Sequence, residues 1–390
     1  RDLRMSRGLG DVYKRQVSIS GTVKGSNINI EIGVKVGAPL NQNVKATFVG
    51  RKLTGSESSE AKITSFIIDD EAVVEQPVIN EEAGTIVFAV NEEVESLKFT
   101  PIIEISEGAT ITPASGVAQD FSNNKKVTYT VTAEDGTVKV YTAFVEGTRK
   151  VLKYSFEDWK EGTKNDELLP KDLWAGSAAG ADILGGTLLR KETREDGTDA
   201  AKLITFEYPN EPNSLVPKIT AGSIFIGKFD MMPALQGDRL SCTKFGLDAD
   251  AETVSLGGKP LRFKGVYKYE SGSNYLDASN YEDVKPVDIK DKGQIQAVLY
   301  KVQTGEDGKE IVLTGHDVNT SELRVAVANI IVEDIKEYTP FNIEFEYLQE
   351  YDRTAKDKFA IICSSSKDGD LFKGAGGSTL IVDEFEVICE

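Results

Sequence analysis

Short runs in which apolar and polar residues alternate recur along this chain, separated by Gly, Asn, Asp and Pro. Val17-Ser18-Ile19, Ile28-Asn29-Ile30-Glu31-Ile32 and Val44-Lys45-Ala46-Thr47-Phe48-Val49 are the first of them. A period of two puts neighbouring side chains on opposite faces of an extended backbone, so each run predicts a strand with one apolar face. Residues 61–68 and 84–90 predict two more. Val127 to Ala133 alternates in the same way, Glu134-Asp135-Gly136-Thr137 follows, and Val138 to Phe144 returns. Asp-Gly between alternating runs predicts a hairpin, because glycine tolerates the positive φ of the primed turns. Beyond Val151 the expected strands are 201–208, 223–231, 261–269, 295–303, 322–332, 341–347, 359–364 and 379–387. Leu323 to Ile335 fits a helix or a strand by periodicity; its β-branched content and strand-rich neighbours assign it to a strand.

These elements predict an all-β protein. Residues 61–148 read as an immunoglobulin-like β-sandwich of short strands. Residues 17–60 read as part of a preceding immunoglobulin-like sandwich that ends in a Ser/Glu-rich linker, Gly55 to Glu60. The strand, loop and strand from Asn29 to Phe48 echo Thr85 to Ile103, an order that any two hairpins would share. Gly147-Thr148-Arg149-Lys150 marks a boundary. Residues 151–390, strand-rich with long connections and holding both tryptophans, suit a jelly-roll β-sandwich. Residues 1–16 carry five Lys/Arg and two Asp with no strand pattern and no apolar signal-peptide core. They are read as a non-native leader, so the true N-terminus, any export signal and any lipid-anchor cysteine are expected to be missing.

Composition narrows the chemistry. A net charge of −18 over 390 residues argues against nucleic acid, which needs basic patches, and suits a soluble acidic surface. No apolar run approaches the roughly 20 residues that span a bilayer. His316, the only histidine, sits in a Thr314 to Asp317 turn, which leaves Ser-His-Asp, Cys-His and multi-histidine metal chemistry without material. The three cysteines form no disulfide framework or zinc pattern; a Cys242–Cys363 or a Cys363–Cys389 bridge both stay open. Gly176 to Gly186 and Lys373 to Gly377 lack the GKS or GKT ending of a phosphate loop and read as turns.

Two stretches resemble known families. Ile105 to Gly116, Asp120-Phe121-Ser122 and Val127 to Gly136 resemble the immunoglobulin-like modules of secreted Bacteroidetes proteins, which usually serve as spacers. Tyr154 to Trp159, Leu261 to Tyr269, Ile361 to Asp370 and Phe372 to Glu384 resemble the putative carbohydrate metabolism domain of Bacteroidetes surface and secreted proteins. That resemblance covers 151–390. It implies a jelly roll similar to carbohydrate-binding modules, an extracellular or outer-membrane location and a role in glycan use. Its implied partners are a polysaccharide or oligosaccharide and other outer-membrane glycan-uptake proteins. It brings no catalytic residue set.

Sugars are held by flat apolar faces for their C–H groups and polar side chains for their hydroxyls. The ligand-binding candidates are Trp174, Tyr267, Tyr269, Tyr275 and Tyr281, with Asn274 and Asp277 beside the last two in the polar loop Ser271 to Asp283. Trp159 reads as core. Glu157 and Asp383 occupy positions resembling the calcium-ligating acids on the first and last strands of carbohydrate-binding jelly rolls, so the resemblance implies a structural calcium clasp there. The alternative is two exposed acidic strand ends. A glycoside hydrolase needs two carboxylates roughly 5–10 Å apart, and among 63 Asp and Glu no pair stands out. The expected function is non-catalytic glycan binding at the cell surface. Alternatives are an adhesin-like protein that binds a protein partner, or a hydrolase.

Overall fold

A computed structural model describes residues 15–25, 27–37, 42–213 and 216–390. The leader lies outside the described residues except for Arg15 and Gln16, which begin the first strand. The chain forms two compact units, Arg1–Phe88 with Glu95–Glu146, and Ala89–Val94 with Gly147–Glu390.

The first unit opens on an antiparallel meander of β1 (Arg15–Lys24), β2 (Asn27–Val36) and β3 (Gln42–Arg51). Its register aligns Ile19 with Ile32 and Ile30 with Phe48, so the apolar half of each alternating run falls on one face. The remaining strands of this unit enclose a core in which Phe88 meets the edges of Phe99 and Phe121, and Phe66 that of Tyr129. The Asp-Gly hairpin forms between β4 (Val127–Thr132) and β5 (Val138–Tyr154), with Thr132 opposite Val138.

The second unit is a sandwich of two sheets. The first sheet is centred on the last strand, β16 (Thr379–Cys389). Along one side of it run β7 (Asp199–Ile204) and the end of β5; along the other runs β10 (Pro260–Glu270). The outer strands are β6 (Leu189–Thr193) and β14 (Ile335–Glu344). The strands that open and close this unit are therefore hydrogen-bonded neighbours, with Tyr154 opposite Phe385. The opening strand ends at Tyr154, so Glu157 lies in the connection after it rather than on a strand.

The second sheet runs β12 (Leu313–Thr314), β9 (Thr243–Phe245), β8 (Ser223–Phe229), β15 (Asp357–Ser364), β11 (Gly293–Lys301) and β13 (Arg324–Val332). The ambiguous 323–335 stretch is thus a strand over Arg324–Val332. Between the sheets Phe385 touches Phe156, Phe263 and Phe341, with ring centroids 5.1, 5.0 and 5.8 Å away. Ile295, Ala297 and Leu299 of β11, and Phe359, Ile361 and Cys363 of β15, face this core. Their neighbours Val298, Tyr300, Ala360 and Ile362 point the other way into a second apolar cluster with Phe225 and Phe245. The sheet is buried on both faces, which is why its central strands read Ala297-Val298-Leu299-Tyr300 and Phe359-Ala360-Ile361-Ile362-Cys363 without a polar break.

Three sequence expectations change here. The Gly176 to Gly186 stretch holds a helix, α1 (Ala178–Leu184), closed by left-handed Gly185 at φ 86°. Lys373–Ala375 is a short strand paired with Tyr275–Asp277. Cys242, Cys363 and Cys389 are free and buried, so neither proposed bridge forms.

Asp357, at the start of β15, has a buried Oδ1 with no hydrogen-bond partner among the described residues. Burial pushes its carboxyl up to about 6, against the pull of Lys301. The folded state then holds this proton more tightly than the unfolded chain does, so its contribution to stability is present at low pH and is lost as pH rises through about 4 to 6. Asp357→Asn should flatten that decline and raise the melting temperature at pH 7.5, read from thermal unfolding of both proteins between pH 4 and 8. Equal pH profiles would contradict this.

Candidate functional site

The outer face of the second sheet carries a pocket of about 180 Å³. Its floor is made by strand residues that point away from the sandwich core: Ser223 of β8, Gln294 and Gln296 of β11, and Ile362 and Ser364 of β15. One wall is α1, through Ser177, Gly180, Ala181 and Leu184. A second runs from Phe229 through α2 (Met232–Leu235) to Arg239 and Leu240. The loop after β15 adds Lys367, Asp370 and Phe372; Tyr208 and Thr220 come from an earlier connection.

The polar groups here are held in distinct ways. Arg239 lies over the Phe372 ring, 5.0 Å from its centroid, and its Nη2 donates to Asn213 O at 3.0 Å. Burial lowers its pKa, yet a guanidinium stays charged. Phe372 adopts a left-handed φ of 56°, a strained conformation for a bulky residue, which presents its ring to Arg239. Gln296 is buried and donates to Asn319 Oδ1 at 3.3 Å; Gln294 donates to Asn329 Oδ1 at 2.9 Å. Burial raises the pKa of Asp370, and the charge of Asp368 adds to the effect. Tyr208 Oη and Thr220 Oγ1 are buried, and among the described residues neither makes a well-formed hydrogen bond. Thr220 is still near enough to oppose the burial that raises the Tyr208 pKa.

The loop that carries Lys367 to Phe372 is fixed from beneath. Asp291, 2% exposed, accepts from Ser366 Oγ at 2.6 Å, from Ala375 N and Ser378 Oγ at 2.7 Å, and from Lys292 N at 2.8 Å. Burial nonetheless pushes its carboxyl upward, against those donors. Ser366 Oγ also meets Thr205 Oγ1, which meets Ser365 Oγ, both at 2.7 Å. Gly374 is required here, since a Cβ would sit 2.3 Å from Ser366 Oγ.

The sequence candidates fall mostly elsewhere. Tyr269, 2% exposed, is a core residue whose hydroxyl donates to Ser365 O at 3.0 Å. Tyr267 is half-buried against the same core beside Phe341. Trp174 packs on Tyr154 and Phe156. It borders a separate hollow beyond α1, where Asp166 and Asp182 already accept from Gly162 N, Lys191 N and Asn165. Tyr275 is buried because its segment pairs with Lys373–Ala375, and its hydroxyl donates to Asp368 at 3.1 Å. Asp277 is ion-paired with Lys373 at 2.7 Å, which holds its carboxyl down at about 2. Asn274 is exposed, as is Tyr281, which acts electrostatically on Arg239. Trp159 is half-buried against the core.

Glu157 and Asp383 also take other partners. Asp383 is 3% exposed and accepts from Arg194 Nη1 at 2.6 Å; Glu157 is exposed and accepts from Asp199 N at 3.2 Å. Arg194 thus pairs with Asp383, and Glu157 takes no part in that ion pair. Among the described residues no group of three or more His, Cys, Asp or Glu is placed to hold a metal ion.

Sequence reasoning missed Arg239, Gln296, Asn319, Asp370 and Phe372, which come from four distant segments. The available signal was the unbroken apolar run in β11 and β15, which requires a cover over the outer face.

Residues 134–388 match the model of a family described as Putative carbohydrate metabolism domain, and residues 63–145 match one described as SGBP, N-terminal. The crystal structure of a putative glycoside hydrolase from Bacteroides thetaiotaomicron is similar at 29% identity and a TM-score of 0.53, over 87% of this chain and 99% of that one. A second putative glycoside hydrolase structure, from Bacteroides vulgatus, is similar at 28% identity and a TM-score of 0.50, over 61% of this chain and 98% of that one. No curated protein matches the chain.

Asp291→Ala would strand the Ser366, Ala375 and Ser378 donors in a buried site, at a cost of about 3 kcal/mol. Chemical denaturation should show that loss, and amide exchange should quicken across 366–378. A loss below about 1 kcal/mol would mean that the loop is held by other contacts.

Proposed function

The chain belongs to the Putative carbohydrate metabolism domain family, and on that premise we propose that the pocket on the outer face of the second sheet binds glycan without cleaving it. One observation carries the reading. The lining mixes aromatic and aliphatic surface with amide, hydroxyl and guanidinium groups, and among the described residues Asp370 is its only carboxylate. Sugar recognition needs that mixture, whereas hydrolysis needs a second acid facing the first. Gln294, Gln296, Asn319 and Arg239 would bond ring hydroxyls, and the Phe229, Tyr208 and Phe372 rings would offer faces to C–H groups. Tyr281 would serve the rim. The match of residues 63–145 to a surface glycan-binding protein domain supports a place at the cell surface. Among the described residues no helix is long and apolar enough to cross a membrane.

A second reading rests on Asp370 itself. A carboxyl whose pKa is raised by burial suits a general acid, and two similar solved structures are described as putative glycoside hydrolases.

Calorimetric titration of the full chain with soluble xylan, β-glucan, mannan and pectin separates the readings. The binding reading expects saturable affinity for at least one of them. Gln296→Ala and Arg239→Ala should each weaken it about tenfold or more, with no new reducing ends on long incubation. Binding untouched by both substitutions would remove the pocket. Reducing ends that Asp370→Asn abolishes would establish the hydrolase.

A further inference from the structure

The pocket is unevenly made. Its sheet and loop side carries the amides and Asp370, whereas between Ser177 at one end and Arg239 at the other its helical side is apolar: Ala181, Leu184, Phe229, Met231 and Ala234. This wall is closely joined, because Gly180 has no side chain. A Cβ there would lie 3.0 Å from Met231 Sδ and 3.2 Å from the Phe229 ring, so glycine lets α1 settle onto both. Further apolar side chains flank the lining residues in sequence. Ile183, Met232, Leu235 and Leu371 are 73%, 58%, 62% and 44% exposed, and each adjoins a lining residue in the chain.

That distribution suits few sugars. A plain pyranose bears a hydroxyl on almost every carbon, and pressing those hydroxyls against aliphatic walls strips them of water without replacing its hydrogen bonds. An acyl substituent has the complementary make-up: a methyl or longer chain for the wall, and a carbonyl oxygen that needs a donor. The Arg239 guanidinium, with five N–H groups of which one goes to Asn213 O, supplies donors on the lining, whereas the Ser177 and Thr243 hydroxyls already donate to Ala221 O and Leu240 O.

We propose that the pocket takes a glycan whose sugar carries an acyl group, as an O-linked ester or an N-linked amide. The acyl chain lies on the α1–α2 wall and the ring hydroxyls face Gln294, Gln296 and Asn319. This rests on the glycan-binding reading and adds the class of sugar.

The test pairs each probe with its deacylated twin. O-acetylated glucomannan is compared with the same polymer after mild alkali, which removes esters and spares amides. Chitohexaose is compared with its de-N-acetylated counterpart. One pair should show affinity about tenfold higher for the acylated member, the gain expected from seating one small apolar group, and which pair does so identifies the linkage. In the double variant Leu184→Ser with Met231→Ser, two half-buried residues of that wall, the ratio should drop below about threefold. Equal affinity within both pairs, or a ratio that survives the double variant, overturns the proposal. Plain glycans bound with no acyl preference would overturn it alone; no binding to any glycan would overturn the binding reading as well.

Discussion

Everything distinctive about the second unit follows from a sheet that must be covered on both faces. β11 and β15 place Ile295, Ala297, Leu299, Phe359 and Ile361 in the core between the sheets. The intervening Val298, Tyr300, Ala360 and Ile362 are equally apolar and equally buried. An ordinary antiparallel sandwich leaves its outer faces wet, with polar residues alternating outward. Here the outer face needs a roof, and α1, α2 and the loops around Tyr208, Val318 and Phe372 supply it. A roof assembled from short segments does not close like a core. The space left beneath it, where the sheet turns from Val298 and Tyr300 to Gln294 and Gln296, is the pocket.

The rest of the unit holds that roof still. The first and last strands pair directly, and the carboxylate of Asp383 is held by Arg194. An ion pair so little exposed is strongly destabilising to break and close to neutral to replace by well-packed apolar residues. Its role is to fix the geometry near the end of the domain rather than to supply much net stability. Beneath the pocket loop, Asp291 does the same with hydrogen bonds. One buried carboxylate gathers donors from Lys292, Ser366, Ala375 and Ser378, and so ties three chain segments at one point.

The fold was legible in the sequence to the extent that alternation is a local signal. The strands, the Asp135-Gly136 hairpin and the strand at Arg324–Val332 all follow from period, turn chemistry and resemblance. The site was less legible because its contacts are not local. Tyr275 sits in a polar stretch that reads as an exposed loop, yet pairing of Leu276 with Gly374, some hundred positions on, buries it. The Gly176 to Gly186 stretch reads as a turn, yet α1 forms there, and Gly180 is the contact point that lets the helix close on Phe229 and Met231. The acids of Glu157 and Asp383 look like ion ligands in sequence, but Arg194, nearly two hundred positions away from Asp383, answers the second of them.

The central claim is that ligand binds beneath the roof on the second sheet. Hydrogen–deuterium exchange of the full chain, with and without a bound glycan, tests it most directly. New protection should concentrate in residues 177–184, 229–243 and 362–372, with the first sheet unchanged. Protection confined to the first sheet, or to Ser271–Asp283, would contradict it.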